Sequence, residues 1–277
     1  MVRLGGVLLA TGVALRPASG QLVGSAATTV ASRYVWRGLT LVSGWVAQPG
    51  AHVGFRRGEA WAVGAGCWGD IELGGAEPTA LTQRGTGRPG LGELDVEVSA
   101  ASTVGSLALS IGWIRYTFHG DSAGGGLGSG ANRSELRLSA DWLGPTVSPS
   151  AGLFCALRRG GCYLETGAAL PVIATEEARP LATVALLPEA GWSLGADRGP
   201  EPAFAGDGLT HLDLPLLVQI QLSGRTLEPA LVLEGHLQWS QDPATRVGDR
   251  LGGTARVRAW IEIGVAASLG ARGGRRR

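Results

Sequence analysis

His211 to Leu222 reads HLDLPLLVQIQL. In an extended chain Leu212, Leu214, Leu216, Val218, Ile220 and Leu222 fall on one face, while His211, Asp213, Gln219 and Gln221 fall on the other. A helix would need apolar residues at three-and-four spacing, so period-two alternation marks this stretch as a strand. The next stretch, Leu227 to Trp239 (LEPALVLEGHLQW), splits the same way: Leu227, Leu231, Leu233, Leu237 and Trp239 oppose Glu228, Glu234, His236 and Gln238. LDVEV from Leu94, LRLSADW from Leu136 and RVRAWIEIGV from Arg256 repeat the pattern.

About twelve such segments are expected, beginning near Ser25, Gly44, Glu59, Leu91, Gly105, Arg133, Thr146, Gly161, Ala182, Gly208, Arg225 and Gly253. Most are longer than the roughly five or six residues of a globular strand and match the ~9–11 of a strand tilted across a bilayer. The connections alternate in length. Arg57-Gly58, Ser102 to Gly105, Gly144-Pro145 and Ser223-Gly224 are tight; Asp70 to Gly90, His119 to Asn132, Gly195 to Asp207 and Gln241 to Leu251 are long. Outer-membrane barrels have short periplasmic turns and long external loops, a parity that a β-sandwich does not enforce. The tight Arg158 to Gly161 link and the longer link near Ala174 to Arg179 depart from it.

Composition narrows the function classes. The 277 residues carry a net charge of +1, which offers no basic patch for nucleic acid. Charged residues make up 17 %, below the roughly 25 % of soluble domains, and every basic residue is Arg. Residues 1–20 have the Arg3 n-region, the apolar Leu4 to Leu15 core and the Ala18-Ser19-Gly20 cleavage site of a signal peptide. Residues 21–277 are therefore expected to form one all-β domain, a single transmembrane antiparallel up-and-down barrel of about twelve strands, in the outer membrane of a Gram-negative-type bacterium.

In such a barrel the lipid takes the apolar face and the lumen the polar one. The expected pore-lining residues are Arg33, Arg37, His52, Arg56, Asp95, Glu97, Glu135, Arg137, Asp141, Glu165, His211, Asp213, Glu228, Glu234, His236, Arg256, Arg258 and Glu262. Tyr34, Trp36, Trp45, Trp142 and Trp239 lie near segment ends and are expected at the membrane interfaces. A two-residue turn at Ser223-Gly224 would set His211 opposite His236 and Asp213 opposite Glu234. Two imidazoles and two carboxylates could hold a metal, but a hydrated wall balanced by Arg256 and Arg258 is the expectation, with no metal or cofactor. Cys155 and Cys162 bracket a tight turn; if Arg158-Arg159 is its loop they fall opposite one another on one face, close enough for a disulfide, the alternative being two small apolar residues facing lipid. His119, Asp121 and Ser122 are neighbours in a Gly-rich loop, not the converging members of a triad, so no enzymatic activity is expected.

Ser32 to Gly38, SRYVWRG, following a signal peptide, resembles the first strand of bacterial outer-membrane barrels of the porin type, the TorF-like proteins. GCYLETGAALPV from Gly161 and GLTHLDLPLLVQIQ from Gly208 are similar in style to later strands of such barrels. The resemblance implies a twelve-strand barrel with a transport role. Such barrels usually end on an aromatic residue read by the assembly machinery, whereas here AASL at 266–269 is followed by GARGGRRR. The function expected is passive diffusion of small polar solutes or ions, with a closed barrel that works through its surface loops as the alternative. The expected partners are outer-membrane lipid, the assembly machinery and small solutes. Both signs of charge line the wall, with a slight acidic excess that predicts a mild cation preference.

Overall fold

The computed structural model describes residues 20–58, 61–74, 89–119, 132–157, 161–173, 182–194, 207–222, 227–241 and 255–269. The signal-peptide expectation for residues 1–20 falls almost wholly outside them, as does most of the HGDS cluster. Sixteen strands are present among the described residues: β1 (Gln21–Ala31), β2 (Tyr34–Trp36), β3 (Leu39–Val42), β4 (Val46–Arg57), β5 (Trp61–Glu72), β6 (Gly90–Val104), β7 (Leu107–Phe118), β8 (Arg133–Trp142), β9 (Ser148–Ala156), β10 (Cys162–Ile173), β11 (Ala182–Leu186), β12 (Glu189–Leu194), β13 (Gly208–Asp213), β14 (Leu216–Gln221), β15 (Leu227–Gln241) and β16 (Ala255–Leu269).

All but β2 and β3 join one antiparallel sheet, which closes on itself where β1 pairs with β16 from Gly24↔Leu269 to Ala31↔Glu262. β11 and β12 together make one stave, and so do β13 and β14, giving a closed barrel of twelve staves. Each broken stave is interrupted at a proline, Pro188 or Pro215, which has no N–H to give to the ladder. The neighbouring amides still pair: Leu187 N donates to Pro215 O at 2.9 Å and Leu214 N to Leu237 O at 2.9 Å. Closure leaves no open edge, the one way a sheet can satisfy its backbone in hydrocarbon.

The alternation is inside-out for a water-soluble protein. Val98, Ile111, Leu138, Leu216, Leu233 and Ile263 are exposed on the outside of the sheet. Asp70, Glu93, Glu135, His211 and Ser240 are buried inside it. Trp61 and Trp142 face outward at the end where short links connect the staves; Trp45 and Trp239 flank the other end. An outward apolar belt with aromatic ends and a polar interior is the signature of a membrane-spanning barrel, so lipid is the solvent of the outer face. The staves begin within a few residues of the expected segments, and the alternation of long and short intervals holds with the same two departures.

SRYVWRG is the main correction. The first stave ends at Ala31, and the chain then turns into the lumen instead of continuing along the wall. Tyr34–Trp36 and Leu39–Val42 form a short separate hairpin, with Val35 opposite Thr40 and Trp36 opposite Leu39. Tyr34 and Trp36, expected at the membrane interface, are 2 % and 3 % exposed in the interior. The physical reason is that both faces of this hairpin are enclosed by the barrel, so parity cannot assign one of them to lipid. QLVGSAATTVA, the true first stave, is too rich in Ala, Gly and Thr to show strong alternation.

The register after β14 is also corrected. A two-residue loop would pair Gln221 with Thr226; it pairs with Ala230, and His211 lies opposite Ser240 and Asp213 opposite Gln238. The long β15–β16 ladder, from Leu227↔Leu269 to Gln241↔Ala255, fixes β15 independently of the turn. The shift is an even number of residues, so every side chain keeps its face. Residues 223–226 lie outside the described residues.

The belt generates a direct prediction. Val98→Arg, at the middle of β6 on the lipid side, should cost about 2–4 kcal/mol of barrel stability, whereas Ser99→Arg on the lumen side should cost far less. Urea unfolding in lipid vesicles, followed by heat-modifiable gel mobility, checks the difference; equal losses would contradict the facing.

Candidate functional site: a hairpin across the lumen

The chain is anchored as it turns inward. Ser32 N donates to Ile261 O at 3.0 Å, and Ile261 N donates to Ser32 Oγ at 3.3 Å. The hairpin tip is Arg37-Gly38, with φ of 48° and 84°. Both values are positive, as the tight type I′ turn requires. Gly38 is needed there for a second reason: a Cβ would come within 2.8 Å of His211 Cβ. Arg37 is the lone non-glycine at positive φ among the described residues, so its side-chain contacts must hold it there.

Those contacts are strong. Arg37 Nη1 and Nη2 donate to Glu135 Oε1 and Oε2 at 2.9 and 2.6 Å, a bidentate pair. The guanidinium also lies 4.5 Å from the Trp36 ring centre, 4.4 Å from Tyr163 and 5.0 Å from Phe154. Tyr116 Oη donates to Glu135 Oε2 at 3.0 Å, and Arg133 covers Trp36 at 4.3 Å. Elsewhere Tyr34 Oη donates to Glu93 Oε2 at 2.8 Å, and Arg258 Nη1 donates to Gly38 O at 3.1 Å. The hairpin thus touches β6, β7, β8, β9, β10, β13 and β16, which reach around most of the wall.

The lumen is asymmetric along its axis. The hairpin and the large lumen-facing side chains Tyr116, Phe118, Phe154, Tyr163 and Trp260 gather toward the end where most of the long intervals leave the staves. Toward the other end many inward positions are small, among them Gly64, Ser99, Gly112, Ser139, Gly152 and Gly167. Between the hairpin and the wall lies a cavity of about 120 Å³, room for several waters. It is lined by Tyr34, Arg37 and Gly38 on one side and by wall residues on the other, among them Glu165, Glu189, His211, Asp213, Glu234 and Glu262.

Arg37 is in the lumen, but on the hairpin and paired to Glu135; Arg33 is half-buried at the bend into that hairpin. Asp95, Glu97 and Arg137 share one patch of wall, with Arg137 Nη2 donating to Glu97 Oε1 at 2.5 Å. His52, Arg56 and Asp141 lie toward the small-residue end, away from the hairpin. His211, Asp213, Glu234, His236, Arg258 and Glu262 come together beside the cavity. Glu228 and Arg256 lie on β15 and β16, their side chains outside the described residues. Cys155 and Cys162 are directly opposed and disulfide-bonded, with Cα atoms 4.1 Å apart. His119 is exposed at the end of β7.

Several interior groups escaped the sequence reading. Glu93 and Asp70 continue the parity of Asp95 and face each other across β5 and β6. Trp260 shares parity with Arg258 and Glu262, and Tyr163 with Glu165. Their parity with charged neighbours on the same strands is the signal that finds them.

No family model matches this chain, and no curated protein does. Among solved structures, the COG4313 outer membrane channel from Pseudomonas putida F1 is 10 % identical over 92 % of this chain and 97 % of its own, with a TM-score of 0.47. The KdgM porin in complex with disordered oligogalacturonate is 7 % identical over 90 % and 99 %, at 0.45. The NanC porin is 9 % identical over 91 % and 100 %, at 0.44. These are likenesses of outline, and nothing of those proteins' ligands transfers to this chain. On its own belt, closure and interval parity, the protein is an outer-membrane β-barrel.

Removing one partner of a buried ion pair costs about 3–5 kcal/mol because the other charge is left uncompensated. Glu135→Gln should therefore release the hairpin. Hydrogen exchange of the amides in 34–42 should accelerate while the wall ladders keep their protection; unchanged exchange in 34–42 would show that the pair does not hold the hairpin.

Proposed function

We propose that the protein is a porin-like channel for small polar solutes or ions, constricted by the inward hairpin and favouring cations. The observation that supports this best is the charge around the cavity. Glu165, Glu189, Asp213, Glu234 and Glu262 line it, and the one arginine among its lining residues, Arg37, is paired to Glu135. A ring of carboxylates in a confined polar passage raises the local cation concentration and sets selectivity. The small residues toward the other end leave a wide approach, so resistance concentrates beside the hairpin. Kinship with the TorF-like barrels is proposed only from SRYVWRG and the style of the later strands, and SRYVWRG forms the hairpin rather than a strand of the wall.

Planar-bilayer recording tests the proposal. The wild type should show discrete steps with a reversal potential, in a salt gradient, on the cation-selective side. Glu165→Gln with Glu189→Gln should reduce that selectivity, and replacing 33–44 by a short Gly-Ser link should raise the conductance. Steps absent from both the wild type and the hairpin-less protein would overturn it in favour of a closed barrel.

A further inference from the structure

His236 is the most heavily supported imidazole in the lumen. Its side chain is 1 % exposed and stacked on the Trp260 indole, ring centres 4.3 Å apart and planes 5° from parallel. Its Nδ1 lies 3.2 Å from Oδ2 of Asp213, which is itself buried. Its Nε2 faces two carboxylates, Glu234 Oε1 at 3.4 Å and Glu262 Oε1 at 3.5 Å. Glu234 and Glu262 are direct partners across the β15–β16 ladder, as are His236 and Trp260. Trp260 Nε1 donates to Glu262 Oε1 at 3.2 Å, which orients that carboxylate. The ligating atoms of Glu234, His236 and Glu262 all lie within 4.8 Å of one another.

We propose that Glu234, His236 and Glu262 form a binding site for a divalent transition-metal ion of the zinc class, with Asp213 as the group that positions the imidazole. Three observations carry this. The two Nε2···O separations are longer than good hydrogen bonds, which cluster below about 3.2 Å. They match the spacing of ligands around a tetrahedral ion, roughly 3.4 Å when each bond is about 2.0–2.1 Å. With Nδ1 donating its proton to Asp213, Nε2 presents its lone pair between the carboxylates, the carboxylate–histidine–metal relay that fixes tautomer and ring direction. Two carboxylates and one imidazole form a mixed hard and borderline donor set, which suits a transition ion better than Mg²⁺ or Ca²⁺. Glu234 and Glu262 also line the cavity, so a fourth position would open toward water or an entering ligand. The site rests on the β15–β16 register and on the placement of Asp213 beside it, not on His211, which instead bonds to Glu189.

Calorimetric titration of the detergent-folded full chain with Zn²⁺ alone, without any conductance measurement, tests the site separately from the channel proposal. One ion should bind per chain and persist in excess Mg²⁺. Asp213→Asn should weaken binding about 10–100-fold, as loss of a carboxylate behind a metal-bound histidine does. His236→Ala should abolish it and Glu262→Gln should weaken it, whereas His52→Ala, in the same lumen but away from the cluster, should leave it unchanged. Heat-modifiable mobility verifies that each variant is folded. If His236→Ala does not fold, Glu262→Gln and Asp213→Asn decide. No saturable Zn²⁺ binding by the wild type, or binding indifferent to the folded cluster variants, overturns the proposal.

Discussion

The Arg37–Glu135 pair sits where a cation and an anion are both far from bulk water, and the rest of the lumen is arranged around it. Bringing two charges out of water costs several kcal/mol each, and their attraction offsets this only with good geometry and full hydrogen bonding. Here the geometry is bidentate, Tyr116 supplies a further donor to the carboxylate, and three aromatic rings surround the guanidinium. Guanidinium is the cation suited to this, since its planar fork matches a carboxylate and its faces stack on rings. The same contacts explain why an arginine tolerates positive φ at the hairpin tip. The segment 32–45 is thereby converted from a connection between staves into a cross-bar of the interior.

Lipid imposes the complementary constraint. Because the outer face must be apolar, the charged residues needed for solubility elsewhere are concentrated inside, where each needs a partner. The lumen meets this by local pairing: Arg137 with Glu97, Arg258 with Gly38 and Ser240, Tyr34 with Glu93. The filling is uneven. Aromatic side chains and most of the buried charges gather around the hairpin, and glycine and serine are frequent in the opposite part, beside His52, Arg56 and Asp141. The bulk inside the barrel is therefore concentrated at the end where the hairpin enters.

Much of this was legible in the sequence, and what was not has a physical cause. Strand number, strand limits and the inward face of the charged wall residues follow from period-two patterning, which lipid on one side and water on the other enforce along every stave. Glu97, Glu135 and Arg137 needed nothing more. SRYVWRG misled because its alternation is genuine while its surroundings are not those of a wall strand; protein encloses it on both sides. The weak QLVGSAATTVA stave was eclipsed for the opposite reason, having few large side chains to sort. Trp260 and Tyr163 show that residue type is a poorer guide than parity inside a barrel: register placed them in the lumen even though their chemistry suits lipid.

Pair identities are harder to read than faces, and the cluster around His236 shows why. A strand shifted by an even number of residues presents the same side chains to the same compartment, so burial does not penalise it. Only the neighbouring ladders do. β15 is held along its length by β16, which makes Glu234 and Glu262 partners; β13 and β14, on the other side, bring Asp213 beside His236 rather than opposite Glu234. The array of two histidines and two carboxylates that a two-residue turn would create therefore separates into two. His211 goes with Glu189 and Tyr163 to brace the hairpin tip, and His236 goes with three carboxylates. The first arrangement is a hydrogen-bonded support. The second gathers three carboxylates around one imidazole, with Glu234 and Glu262 turned toward the cavity.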